Sequence, residues 1–291
     1  MSWIDLIEQQ PALAYLGALL LGLIVGSFLN VLILRLPRIM EAGWLRECAE
    51  FQAQQPTTER AEPLGLAFPP SQCPHCGHRI RPLENIPVIS YLLLRGRCTA
   101  CNGRISLRYP IIELATALLS VIVVWRFGPS WQSAAALVLT WGLIALAVID
   151  LDTQLLPDDM TQPLIWLGLI ANLTGLFTDI QSAVIGATGG YLSLWTVAKL
   201  FSKLMGKEGM GHGDFKLFAL FGAWLGWQQL PQIILLSALT GALIGIAMIA
   251  LKRQGREVPI PFGPYLAAAG WISLIWGGNI NQAYLSWSGL G

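Results

Sequence analysis

The chain has 291 residues, of which 54% are hydrophobic and only 12% charged, and its mean hydropathy is +0.58. That balance excludes an ordinary soluble domain and predicts a polytopic membrane protein embedded in a lipid bilayer. The net charge of +1 gives no ground for a nucleic-acid partner, because the charges are partitioned along the chain and their sum is uninformative.

The first apolar stretch, about 12–34, carries no charge, and Gly17, Gly22 and Gly26 would let a second helix approach closely. Asp5 and Glu8 stand where a signal peptide needs basic residues, and the run is too long for a signal h-region, so residues 1–34 are expected to hold a retained N-terminal transmembrane helix. Asn30, near its inner end, could bond across the bundle or face a site.

Residues 35–108 differ sharply, with ten Arg and six Glu. They contain Cys73-Pro74-His75-Cys76-Gly77-His78 and Cys98-Thr99-Ala100-Cys101-Asn102-Gly103, two CxxC knuckles separated by 21 residues. Four thiolates at that spacing suit a tetrahedral zinc site, with backbone N–H groups turned toward sulfur. Disulfides or a redox pair are the alternatives. The arginines argue for the reducing cytoplasm, and no βαβ pattern supports a thioredoxin-like motif. Zinc here would be structural, because Cys73, Cys76, Cys98 and Cys101 fill every coordination position and so small a domain needs the metal to fold. Cys48 is left over as a free thiol, and His75 and His78 read as surface residues.

Beyond residue 108 come apolar runs at about 111–125, 130–149, 164–177, 183–198, 215–227, 233–251 and 262–276, making eight spans with the first. The expected fold is therefore an all-α polytopic membrane protein of about eight transmembrane helices, with a cytoplasmic zinc-binding domain (35–108) between helices 1 and 2 and a seven-helix domain over 109–291. If the 35–108 loop lies inside, the inner connections hold 17 of the 18 Lys and Arg, all but Arg126. That obeys the positive-inside rule at every turn and puts both termini outside.

The same topology brings two acids to one depth. The third span ends in Ile149-Asp150-Leu151-Asp152, and the sixth opens with Gly209-Met210-Gly211-His212-Gly213-Asp214. A carboxylate at the edge of an apolar span is costly, about 2.5–3.5 kcal/mol at a helix centre, and is a functional candidate by default. Two neighbouring carboxylates share a proton, so that one serves as base and the other as acid toward a water and an amide carbonyl. Asp152, Asp158 and Asp159 compete with Asp150. On a helix Asp150 and Asp152 point roughly 200° apart, so only one can face Asp214. Asp214 as a plain helix cap, a proton- or ion-coupled transporter site built on Asp150 and Asp214, and a non-enzymatic zinc-ribbon anchor all remain open on these grounds.

Several ordered motifs carry a resemblance that favours one of these. Gly22 to Pro37, the paired CxxC motifs around Glu84-Asn85-Ile86-Pro87 and Leu94-Arg95-Gly96-Arg97, Tyr109-Pro110-Ile111-Ile112-Glu113, the Asp150–Asp158 segment and the Gly211–Asp214 turn follow one another over nearly the whole chain. In this the sequence resembles the bacterial type IV prepilin peptidase family of Gly-x-Gly-Asp intramembrane aspartyl proteases. The resemblance implies a bifunctional enzyme of the bacterial inner membrane. It would cut the basic leader from type IV prepilins and type II secretion pseudopilins at the cytoplasmic face, then N-methylate the new terminus with S-adenosylmethionine. It also implies that Asp150 and Asp214 are the catalytic pair and that Cys73, Cys76, Cys98 and Cys101 are the zinc ligands. No Gly-x-Gly-x-x-Gly follows a predicted strand, so the residues that bind the methyl donor stay unidentified.

Overall fold

The computed structural model describes residues 11–53, 65–206, 210–251 and 261–288. Glu59, Glu62, Lys207 and Gly209 lie outside these, as do both termini and most of the 252–261 connection. Among the described residues the protein is all-helical apart from two isolated bridges. A helix occupies most of each of the eight apolar stretches, and among the described residues four helices are long and apolar enough to cross a bilayer. The chain divides into two compact units, Met1–Pro129 and Ser130–Gly291.

The first unit contains α1 (Pro11–Ala53), the short α2 (Ile89–Leu93) and α3 (Arg108–Phe127). The change of composition at Arg35 is not a break in the backbone. Helix α1 continues through Arg35 and Pro37 to Ala53 over 43 residues, and at 1.5 Å per residue it is about 65 Å long, twice a bilayer's hydrocarbon thickness. Only its charge-free first half can lie in lipid. That half packs antiparallel on α3, where a Cβ on Gly22 would stand 2.6 Å from Ala117 Cα and one on Gly26 2.7 Å from Glu113 Cα. Bare glycine is what lets the backbones meet. Asn30 closes the register: it is buried, and its Nδ2 donates to Gly26 O and Tyr109 O at 3.2 and 3.1 Å.

The second unit contains α4 (Trp131–Thr153), α5 (Asp158–Asn172), α6 (Ile180–Met205), α7 (His212–Leu225), α8 (Leu230–Ala250) and α9 (Gly263–Ser288). Local chemistry starts two of them: the side chains of Ser130 and Asp179 accept the N–H groups of Ser133 and Ser182 as N-caps. Helix α7 is the centre. Phe215 and every residue from Leu217 to Trp224 are buried, although the helix has only 14 residues. It is held from three sides. Gly186 of α6 and Gly222 of α7 meet backbone to backbone, leaving no room for a Cβ on either. From α5, Leu164 O accepts the Trp224 indole N–H at 2.8 Å. Asn172 donates to Ala223 O and Trp224 O while its Oδ1 accepts from Phe177 and Thr178, so its buried amide is satisfied. On α9, Gly270 makes room for the Phe221 ring, and Trp271 Nε1 donates to Thr140 Oγ1 of α4 at 3.2 Å. Fixing the body of α7 in this way fixes the place of its N-terminus.

Candidate carboxylate site and metal centre

Asp150 stands in the last turn of α4 and is 5% exposed, whereas Asp152 is exposed. The two side chains thus lie on different faces of the helix end, one inside and one at the surface. Just beyond, Gln154 takes a left-handed conformation at φ 55° and returns its N–H to Asp150 O, which stops the helix and turns the chain toward α5. The carboxylate accepts one backbone bond, from Gly263 N–H to Oδ2 at 3.0 Å. A Cβ at Gly263 would lie 2.6 Å from that oxygen. Only glycine lets the first turn of α9 come so near.

Asp214 lies in the first turn of α7, half-buried, while the N-cap position itself is filled by Gly211. Its own N–H reaches Gly211 O at 3.3 Å, and the Gly211 amide approaches its carboxylate. Asp214 is thus not the helix cap, although a negative charge suits the first turn. The two acids are close enough to interact electrostatically, and Leu156 packs beside both Gly213 and Gly263. A Cβ on Gly213 would touch Leu156 Cβ at 2.7 Å, and one on Gly263 would lie 3.3 Å from Leu156 Cδ1. Beside them Lys216 Nζ sits 2.6 Å from both oxygens of Asp158, joining the first turns of α5 and α7. Asp159 is exposed, as is His212, whose ring leans on Phe215 at 5.5 Å between centroids. Two carboxyl groups at the edge of an apolar body, one bonded to a fixed amide, are chemically suited to move protons to and from a bound water.

The four cysteines also come together, in the first unit. The two knuckles repeat one pattern. Cys73 N–H bonds His78 O and Gly77 N–H bonds Cys73 O; in the same way Cys98 N–H bonds Gly103 O and Asn102 N–H bonds Cys98 O. The turn needs a left-handed residue, supplied by Gly77 at φ 71° and Asn102 at φ 57°. Isolated bridges Gln72–Arg79 and Arg97–Arg104 close each loop. The sulfur atoms lie within 4.8 Å of one another, and Cys73 Sγ is 3.8 Å from Cys101 Sγ. That is no disulfide, which needs about 2.05 Å, but it matches the edge of about 3.8 Å expected for a tetrahedron with bonds of about 2.3 Å. The cluster can hold a metal ion. Backbone N–H groups of His75 and Cys76 bring the Cys73 thiol down to about 7. At Cys76 the His78 amide acts in the same direction, but burial and the neighbouring sulfurs outweigh it and push that thiol up to about 12. Cys48 is exposed and free.

Known proteins resemble the chain along nearly its whole length. Residues 20–127 match the bacterial peptidase A24 N-terminal domain, and residues 137–246 match the type IV leader peptidase family. A Pseudomonas aeruginosa protein named prepilin leader peptidase/N-methyltransferase is 54% identical over 289 residues, covering 99% of this chain and 99% of that protein. Proteins of the same name from Stutzerimonas stutzeri (53%, all of both chains) and Legionella pneumophila (45%, 97% of this chain and 98% of that protein) are similar over their full lengths. The chain belongs to the type IV leader peptidase family. No solved structure matches it.

Within this leader peptidase chain three features escape inspection of the sequence. The Gly263 amide is a backbone donor brought from 113 residues away, flagged only by the Pro261-Phe262-Gly263-Pro264 punctuation before an apolar run. The Asp158–Lys216 pair could have been suspected only from a cation two residues after Asp214. Glu84 joins the knuckles: its carboxylate accepts from Arg81 N–H at 2.9 Å and Thr99 Oγ1 at 2.7 Å, and His78 Nε2 stands 3.3 Å away. The Arg81 amide first, then Thr99, hold its carboxyl down to about 2.

Proposed function

We propose that the protein is a membrane-embedded aspartic endopeptidase of the bacterial inner membrane. In this reading it removes the basic leader from type IV prepilins and type II secretion pseudopilins at the cytoplasmic face and N-methylates the new amino terminus. The full-length relatives support this reading and not an ion-coupled transporter. The observation that carries its chemistry is the placement of Asp150 and Asp214 at the ends of α4 and α7, around Leu156 and close enough to interact. Eight helices cross the membrane in this account, with both termini periplasmic and the tetracysteine region of 35–108 in the cytoplasm, which puts 17 of 18 Lys and Arg on one side.

A prepilin is a basic leader followed by an apolar helix, so its helix enters lipid beside the second unit while its leader stays in water. The scissile amide then comes to the depth of the two aspartates. The ionised member of the pair takes a proton from water as the oxygen adds to the carbonyl carbon. The protonated member bonds the carbonyl oxygen and then delivers a proton to the departing nitrogen as the C–N bond breaks. Gly263 N–H pins one oxygen of Asp150 and leaves the other for this work.

Zinc fits Cys73, Cys76, Cys98 and Cys101 by donor type and sulfur spacing; with four thiolates it has no open position and serves the fold. S-adenosylmethionine supplies the methyl group of the second activity. A cavity of about 390 Å³ between Leu94, Arg95, Arg97, Cys98, Thr99 and Asn102 is open and lined by no acidic side chain that could receive a ribose, so no residue is assigned to the methyl donor. The test is a single mass measurement: purified protein, a synthetic prepilin and S-adenosylmethionine should yield a product lacking the leader and heavier by one methyl. An intact prepilin after incubation with folded protein would overturn the reading.

A further inference from the structure

One buried carboxylate has no part in cleavage or in the metal cluster. Glu113, in the second turn of α3, is 7% exposed, and an acid inside a spanning helix is costly unless it has a partner. Its partners are a backbone amide, Val88 N–H, which donates to Glu113 Oε2 at 2.7 Å, and the Ser27 hydroxyl. Val88 belongs to the turn Ile86-Pro87-Val88-Ile89, at the far tip of the segment that carries the knuckles.

The depth of this tip can be read from the helix register. Asn30 is level with Tyr109, Gly26 with Glu113 and Gly22 with Ala117. The polar boundary is marked on α3 by Arg108 and on α1 by Arg35, the first charge after residue 11. Arg108 is level with about residue 31 and so is the deeper of the two markers; measured from it, Glu113 lies five residues inward, about 7.5 Å along the helix, and Ser27, which accepts from Asn85 Nδ2 at 3.5 Å, lies about 6 Å inward. A leaflet's hydrocarbon is about 15 Å thick. Asn85 and Val88 are therefore held inside the apolar layer and not above it.

Irregular backbone can stand there only if its polar groups are satisfied internally. The amides at the tip are so provided: Pro87 has no N–H, Val88 N–H goes to Glu113, Ile89 N–H to Pro87 O, Ser90 N–H to Ile86 O and Leu92 N–H to Val88 O. The tip then presents apolar side chains outward: Ile89, Leu92 and Leu93 are 52, 68 and 76% exposed. Exposed Arg81, Arg95 and Arg97 flank it, where long cationic side chains can reach phosphates from a shallow position.

We infer that residues 85–93 form a shallow re-entrant anchor that seats the tetracysteine region on the bilayer, with Ile89, Leu92 and Leu93 in the hydrocarbon of one leaflet and Arg81, Arg95 and Arg97 at its anionic headgroups. Glu113 is the acceptor that makes this turn tolerable in lipid. The inference rests on α1 and α3 crossing the membrane and is independent of which reaction the second unit performs.

The experiment places one trifluoromethyl-phenylalanine at residue 89 or 93 of the full chain, in nanodiscs of phosphatidylethanolamine and phosphatidylglycerol. Residue 118 serves as a lipid-facing reference and residue 100 as a water-facing one. Fluorine relaxation is read with a nitroxide on the lipid chain and, separately, with a water-soluble gadolinium chelate. Positions 89 and 93 should follow position 118, with relaxation by the lipid probe at least threefold that by the chelate. If both follow position 100 the anchor does not exist. The two sites are labelled separately, so loss of fold in one variant leaves the other as the test. Photo-crosslinking from residue 93 in native membranes supplies a second reading: lipid adducts support the anchor, and a protein adduct as the main product overturns it.

Discussion

The cysteine cluster and the aspartate pair are built in opposite ways. Each half of the cluster is made within seven residues: the same two backbone bonds and one left-handed residue shape Cys73–His78 and Cys98–Gly103, and Glu84 links the halves through Arg81, Thr99 and His78. The aspartates are 64 positions apart, and each is placed by the packing of helices that it does not belong to. Glu84 is surrounded by donors and Asp150 accepts one amide bond. A carboxylate given all its partners is structural. One left short of them, at the edge of an apolar body, is available for chemistry. The first arrangement should tolerate change elsewhere in the chain, and the second should not.

The sharpest way to break that contrast is to neutralise the pair without changing its shape. Asp150→Asn and Asp214→Asn should each lower prepilin cleavage by about 10³-fold or more, the upper range for general acid–base groups, while the thermal transition in detergent is kept. Asp152→Asn, on an exposed side chain, should stay within about threefold of the parent. Cleavage by Asp214→Asn within tenfold of the parent would remove the pair from the mechanism.

Next comes the amide that holds Asp150. Gly263→Ala puts a methyl 2.6 Å from Oδ2 and against Leu156, so the carboxylate must move. Since misplacement by about 1 Å can cost about 10²-fold, cleavage should fall by about that much in kcat, with little change in the amount of folded protein. A melting point lowered in proportion to the activity would make Gly263 a packing residue and not a positioning one.

The packing of α7 can be tested by itself. Gly222→Ala drives a methyl into the backbone of Gly186, and overpacking of this kind costs about 1–3 kcal/mol. Gly189→Ala adds its methyl to open space on α6 and should be neutral or stabilising by up to about 1 kcal/mol. Thermal unfolding of both variants in the same detergent measures the difference. Equal melting points would mean that the close approach of α6 and α7 contributes nothing.

Which of these features the sequence reveals follows from their range. The knuckle spacing and the eight apolar stretches are local signals, and the helices and the sulfur cluster follow them. The helical period puts Asp150 and Asp152 on different faces, and of the two Asp150 is the buried one. Composition was a poorer guide where the physics is not local. The composition changes at Arg35 without a break in the backbone, because α1 pairs its own backbone groups and continues to Ala53. The bonds Gly263 to Asp150 and Val88 to Glu113 join a backbone amide to a distant side chain, and any residue but proline can supply an amide. Asn30 needed the register with Tyr109 before its packing role could be separated from a place in a site.

The smallest expected effect lies in the water-facing half of the comparison. Glu84 touches no sulfur but orients Thr99 and His78, which neighbour two of the ligands. Outer partners of this kind change metal affinity by about 10–100-fold, and a half-buried one that touches no metal belongs at the lower end, so Glu84→Ala should speed zinc loss to a chelator by about tenfold and Glu84→Gln by less. The pH dependence separates this from a direct role. A carboxyl held down from 4.5 to about 2 stabilises the fold above pH 4.5, and that contribution is lost only as pH falls toward 2. The Cys73 thiol, at about 7, changes charge well above that window. The midpoint of metal release should therefore be set by the thiolates, and Glu84→Gln should raise the release rate equally at pH 6 and pH 8. A variant whose effect grew between those two values would place Glu84 in the titration of the cluster itself and not in its support.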